Sequence, residues 1–214
     1  MRKDTRIILA LDETDRKKAL NVVNDVKEHI DAVKVNWPLI LSAGPEIITE
    51  LSEITSVICD LKVADIPNTT RLIVEGAVAR GADAVIVHVF TGEDSLAAAV
   101  AAAGKAEIYA VTEMSHPGGT AFTSKHAEEM ALMGVRCGVA GFIAPATRPE
   151  RIADIRRIIG TRKILSPGVG TQGGNAASAI SAGADHVIIG RTIYGSPEPK
   201  KVASEIEKEI RRAL

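Results

Sequence analysis

Eight short runs of β-branched and other apolar residues recur along this chain, each followed by a segment with apolar residues at helical spacing, and that alternation leaves few folds open. The runs are RIILALD, DAVKVN, SVICDLK, DAVIVHV, EIYAVTEM, GFIAPA, KILSPG and DHVIIGR. Among the helical segments are RKKALNVVNDVKEHI, PEIITELSEI, TTRLIVEGAVARG, RPERIADIRRIIG and PKKVASEIEKEIRRAL. Near-continuous apolar strands alternating with helices imply a parallel sheet covered on both faces. Eight units at roughly 25-residue spacing fit a closed (β/α)8 TIM barrel better than an open doubly wound sheet. The open sheet would carry phosphate-type glycines after its first strand, whereas here they come late. At 214 residues the chain has the size of one barrel, so residues 1–214 read as a single catalytic domain.

Composition removes other function classes. Lys+Arg number 26 and Asp+Glu 27, a formal net charge of -1, so no basic face is imposed for nucleic acid or an anionic membrane. A small-molecule partner is favoured. The opening MRKDTRIILALD has an apolar run too short for a leader or a membrane span, so the expected location is cytoplasmic. Cys59 and Cys137 are far apart and have no His or Cys at ligand spacing. They read as inert core thiols rather than a disulfide framework or zinc site, and no metal is expected.

Barrel chemistry sits at the C-terminal ends of the strands. That rule selects Asp12, Lys34, Asn36, Asp60, Lys62, His88, Thr112, Glu113 and the glycine-rich turns after the last two strands. In VICDLKVADIP, Asp60 and Lys62 are two apart and share one side of a strand, while Cys59 and Leu61 share the other. With the apolar pair against the helices, Asp60 and Lys62 lie near Lys34 and Asp12 in an alternating charge array. Such an array could be a structural ion network, but buried ion pairs rarely beat apolar packing for stability. Charges gathered from three consecutive strand ends are better explained by use at a site. The segment SPGVGTQGGN offers flexible backbone and the Gln172 amide to an anion, and IIGRTIYG places Gly190 and Arg191 at the end of the eighth strand. Loops seven and eight are where barrels commonly bind phosphate. Arg191 supplies a planar, permanently charged fork.

Taken together, these motifs resemble the orotidine 5′-monophosphate decarboxylase family. Its hallmark Asp-x-Lys-x-x-Asp stands here as Asp60, Lys62 and Asp65 in DLKVADIPNT. LALD at Asp12, VKVNWPL at Lys34, TEMSHPG at Ser115, SPGVGTQGG at Gln172 and IIGRTIY at Arg191 follow in the family's order, over essentially the whole chain. The resemblance implies decarboxylation of orotidine 5′-monophosphate to UMP, the last step of pyrimidine biosynthesis, without metal or cofactor, in a homodimer. It implies that Lys62 stabilises and protonates a carbanion at C6, that Asp60 stands beside the departing CO2, and that Asp65 is its companion from the second subunit. Lys34 and Asp12 would hold the charge array and bind ribose hydroxyls. Ile66 and Thr69 would reach the same nucleotide from the neighbouring subunit. Ser115 would read the pyrimidine amide, and Pro167, Gln172, Gly190 and Arg191 would complete the substrate contacts.

Two other readings compete. Magnesium-dependent sugar-phosphate enzymes of the same suprafamily share Asp-x-Lys-x-x-Asp but have a Glu where this chain has Lys34, and a Lys repels Mg²⁺. A silent nucleotide-binding barrel would show a damaged charge array, and Asp60, Lys62 and Asp65 are all retained. His88 and His116 read as structural, Glu113 as a loop support, Trp37 as core, and Arg148 as a support for the helix entry at Pro149. Asn36 acquires no role from the sequence.

Overall fold

The computed structural model describes residues 4–214; residues 1–3, part of the opening segment read above, lie outside the described residues. Eight parallel strands form a closed barrel in sequence order: β1 Ile7–Leu11, β2 Ala32–Val35, β3 Val57–Val63, β4 Ala84–His88, β5 Glu107–Val111, β6 Gly141–Ile143, β7 Lys163–Pro167 and β8 His186–Ile189. β8 pairs with β1, joining Ile8 to Ile188 and closing the ring. The eight expected helical segments all form, as in Arg16–Val26, Pro67–Ala79 and Pro199–Arg212. Two short helices, Trp37–Ala43 after β2 and Arg191–Tyr194 after β8, are additional to them. Among the described residues no helix is long and apolar enough to cross a membrane.

The period of two along each strand sorts the core into two layers. Ile7, Leu9, Val33, Val35, Val57 and Cys59 pack outward against the helices. Ile8, Ala32, Ile58, Ile86, Tyr109, Leu165 and Ile188 fill the barrel interior. Continuing the inner register by two or four residues gives Asp12, Lys34, Asp60, His88, Val111, Pro167 and Gly190, so one parity that is apolar low in the barrel becomes polar at its mouth.

Opposite the mouth, buried polar groups are tied to one another. The Asp31 carboxylate accepts the amides of Thr5 at 2.9 Å and Arg6 at 2.9 Å, and pairs with buried His186 of β8 at 3.2 Å. Burial pushes the Asp31 carboxyl up, but the His186 bond and the backbone amides outweigh it and bring it down to about 2. Tyr109 donates its hydroxyl to Glu107 at 2.6 Å, and Lys163 meets the same carboxylate. Gly141 is what admits the Tyr109 ring: a Cβ there would stand 2.6 Å from the ring and 2.4 Å from the Lys163 carbonyl. Gly141→Ala should therefore cost about 2–3 kcal/mol by overpacking, read as a fall in Tm; an unchanged Tm would contradict this fit.

Two sequence expectations are corrected here. Trp37 is not core: it begins a helix whose Leu39 and Ile40 are buried, but is itself 45% exposed, and donates its indole N–H to the Leu61 carbonyl at 3.1 Å. Asn36 caps that helix by accepting the Trp37 amide at 2.7 Å, which sets Trp37 at the helix's first position. Cys59 is buried, but Cys137 is only half-buried beside the Glu93 carbonyl.

Candidate active site

A cleft of about 320 Å³ opens at the C-terminal mouth of the barrel. Its wall includes Asp12, Lys34, Asp60, Lys62, Ser115, Pro167, Gln172, Gly190 and Arg191, nine of the twelve residues to which the family resemblance gives a role, together with Asn36 and Glu113. Asp65, Ile66 and Thr69 are not part of that wall; they lie just beyond β3, with Asp65 and Ile66 exposed.

Asp60 is the centre of the charge array. Lys34 Nζ donates to its Oδ2 at 2.8 Å, and Lys62 Nζ lies 2.9 Å from both carboxylate oxygens. Asp60 and Lys34 are buried, whereas Lys62 is partly open to the cleft. Burial pushes the Asp60 carboxyl up, but attraction to the two ammonium groups and their hydrogen bonds more than offset it. The carboxyl is held below the usual range, so it is ionised at neutral pH. Asp12 adds a second acceptor: its Oδ1 is buried and has no hydrogen-bond partner.

Lys62 departs from ordinary strand geometry. Its φ is 45°, a left-handed conformation uncommon for non-glycine residues and shared among the described non-glycine residues only by Arg6 at the opposite end of the barrel. The β3–β4 register shifts between Cys59 and Val63, the four-residue step on β3 facing a two-residue step on β4 from Val85 to Val87. The expected alternation survives in outcome, because Cys59 packs outward while Asp60 and Lys62 meet, but the ladder between them is irregular.

Just past the strand, the Asp65 carbonyl accepts the Ser95 hydroxyl at 2.7 Å and the Thr70 hydroxyl at 3.1 Å, both from buried residues. This fixes the main chain at the third hallmark position while leaving its carboxylate on the surface.

The glycine-rich loop is more self-contained than its composition predicts. Gly170 N–H bonds Gly174 O, Gly173 N–H bonds Gly170 O, and Gly174 N–H bonds Gly168 O, at 2.9, 2.7 and 2.9 Å. These three amides are thus committed within the loop. Gly170 sits at φ 77°, and a Cβ there would come within 2.3 Å of the Thr192 hydroxyl, so close packing on the eighth loop also demands glycine. Exposed Arg191 and Gln172 remain as side-chain donors at the rim.

Ser115 is carried by a braced loop. Buried Glu113 accepts Arg148 Nε at 2.9 Å and Arg151 Nε at 3.0 Å, Arg148 also donates to the Met114 carbonyl at 2.6 Å, and Thr147 donates to the Ser115 carbonyl at 3.2 Å. Glu113 therefore supports the loop as its sequence position predicts. Arg148 ties two loops together instead of only serving the helix entry. The sequence reading missed Met114, Val169 and Thr171 on the wall and the apolar floor of Ile86, Val111, Ile143 and Ile188. Strand parity alone could have found the floor. His116 lines the cleft. His88 stacks near Phe90, with ring centroids 4.9 Å apart, and burial followed by the Lys62 charge pushes its imidazole down to about 4, only partly opposed by Asp60.

Comparison with known proteins finds the chain similar to orotidine 5′-phosphate decarboxylases and their relatives. Residues 5–206 match the orotidine 5′-phosphate decarboxylase / HUMPS family. The chain is 54% identical to the orotidine 5′-phosphate decarboxylase of Methanosarcina mazei, over 100% of this chain and 99% of that protein. It is 48% identical to the enzyme of that name from Thermococcus kodakarensis, over 97% and 98%. A crystal structure of orotidine 5′-monophosphate decarboxylase from Methanocaldococcus jannaschii, complexed with inhibitor BMP, superposes with a TM-score of 0.91 at 41% identity, covering 95% of this chain and 97% of that one. The Pyrococcus horikoshii enzyme gives 0.89 at 46% identity, covering 96% and 99%.

Proposed function

The chain belongs to the orotidine 5′-phosphate decarboxylase / HUMPS family, and from that premise we propose that it converts orotidine 5′-monophosphate to UMP as a single catalytic domain, without metal or cofactor. The observation that carries this reading is the contact of one buried carboxylate, Asp60, with two ammonium groups, one of which stays open to the cleft.

Loss of CO2 from C6 of the pyrimidine leaves the bonding electron pair in the ring plane, where the π-system cannot delocalise it. Stabilisation must then come from a fixed positive charge, which acts more strongly on the transition state than on the ground state. Lys62 supplies that charge and then transfers a proton to C6, giving UMP; water returns the proton to the amine. Asp60 fixes the Lys62 ammonium and faces the departing carboxylate. Lys34 keeps Asp60 ionised and, with Asp12, receives the ribose, the unpartnered Asp12 Oδ1 being an acceptor suited to a hydroxyl. Arg191 and Gln172 hold the phosphate, Gly190 and Pro167 shape its approach, and Ser115 reads the pyrimidine amide.

Metal independence rests on donor chemistry. Both oxygens of Asp60 are occupied by ammonium protons, and among the described residues no three His, Cys, Asp or Glu side chains gather as a metal-binding group. Asp65, Ile66 and Thr69 belong to the partner's site in a homodimer, a reading supported by their position outside this chain's cleft beside exposed apolar Ile66 and Leu72. Cytosolic nucleotide chemistry is the setting.

The test is turnover of orotidine 5′-monophosphate after exhaustive chelation with EDTA, where full activity is expected. Strict dependence on added Mg²⁺ would move the chain to the sugar-phosphate branch. Tight nucleotide binding without turnover would make it a binding barrel.

A further inference from the structure

Lys62 projects from a peptide that the β-sheet does not hold. On one side the β3–β4 ladder slips between Cys59 and Val63. On the other, β2 ends at Val35, which pairs with Cys59, so no strand residue of β2 reaches Leu61. The peptide joining Leu61 to Lys62 must nevertheless be oriented so that Lys62 keeps φ 45°. One side chain meets it there: the Trp37 indole Nε1–H donates to the Leu61 carbonyl at 3.1 Å.

The position of this donor follows from the chain. Val35 is the last rung of β2, Asn36 caps the next helix, and Trp37 is its first residue, so the indole hangs beside the strand end where the next rung would have been. The cap fixes the main chain from which the ring hangs: Trp37 is the only tryptophan, and it is nearly half exposed on a helix of seven residues. Large aromatic residues are ordinarily placed where they bury area, so an exposed tryptophan with its single polar atom spent on a main-chain carbonyl has its use in that bond.

We propose that Trp37 is a positioning residue for Lys62, its indole N–H replacing the missing β2 rung and holding the left-handed peptide from which the ammonium reaches Asp60. This rests on the decarboxylase reading. Without the bond the Leu61 carbonyl turns toward water, Lys62 relaxes to negative φ, and Nζ leaves its 2.9 Å contacts with Asp60. Phosphate contacts come from other loops, and the ribose contacts of Asp12 and Lys34 come from strand ends ahead of the helix that Trp37 opens, so ground-state binding is untouched. The loss therefore falls on the chemical step.

Because the chain has one tryptophan, the N–H can be removed in two independent ways: Trp37→Phe, and biosynthetic replacement of tryptophan by benzothienylalanine, which keeps the bicyclic shape and lacks the donor. Both should lower kcat about tenfold or more, as expected for an ångström-scale displacement of a reacting group, with UMP affinity within about twofold. Replacement by 5-fluorotryptophan, which retains the N–H, should leave kcat near that of the unmodified chain. A crystal structure of Trp37→Phe should show Lys62 out of the left-handed region. Near-normal kcat in both donor-free proteins, with Lys62 still left-handed, overturns the proposal. If even the unmodified chain fails to decarboxylate orotidine 5′-monophosphate, the functional reading falls, and the crystal structure still decides whether the indole holds the peptide.

Discussion

Lys62→Ala should abolish turnover of orotidine 5′-monophosphate while leaving UMP bound. Removing both the charge that meets the carbanion and the proton that quenches it lowers kcat by roughly 10⁴-fold or more, since each role alone carries about two to four decades. UMP develops no negative charge at C6, so its affinity should change by less than about tenfold. Single-turnover kinetics and a UMP titration measure the two quantities, and near-normal turnover would remove Lys62 from its role. The same variant leaves Asp60 buried against Lys34 alone. An Asp whose folded pKa is depressed contributes stability that is present above its unfolded pKa and lost as pH falls through the folded value. With one of its two ammonium partners gone the depression shrinks, so acid unfolding of Lys62→Ala should begin at higher pH than in the unmodified chain.

Mixing two inactive proteins should restore activity. If Asp65 of one subunit completes the charge array of the other, a heterodimer of Lys62→Ala and Asp65→Ala has one site carrying both lesions and one carrying neither. Random exchange of equal amounts gives half heterodimers, so about a quarter of all sites should be intact. Recovery to about that fraction of unmodified activity is the expected result, after mass spectrometry confirms exchange. Verified heterodimers with no recovered activity would exclude sharing through Asp65. The clamp of Ser95 and Thr70 on the Asp65 carbonyl gives the loop the fixed main chain that such reach requires.

What could be read in advance followed from periodicity. Strands covered on both faces are apolar throughout, so even three-residue β6 stood out as GFIAPA. Likewise, two-residue spacing predicted that Asp60 and Lys62 meet, although not the slipped ladder and left-handed peptide through which they do so. The short helices Trp37–Ala43 and Arg191–Tyr194 were hidden because each starts two residues after a strand ends, so its apolar residues read as a continuation of the strand's run. Trp37 was misplaced for a related reason: size predicts burial, whereas its location is set by the Asn36 cap. The left-handed Lys62 leaves no trace in composition, since lysine is not a residue that marks positive φ. Nor does a count of glycines reveal that three amides of the seventh loop are turned on one another.

The Asp31 tie at the barrel floor has a consequence for the order of assembly. It joins Thr5 and Arg6 at the start of β1 to His186 at the start of β8, segments at opposite ends of the sequence. As the chain emerges from the ribosome, β1 must wait with one edge open until β8 has been synthesised. Seven strands can pair before that, but the seam and its buried carboxylate are completed last. An open edge and an unclosed apolar interior are what neighbouring nascent chains would pair with, so the interval between synthesis of β7 and β8 is when this barrel is most exposed to aggregation.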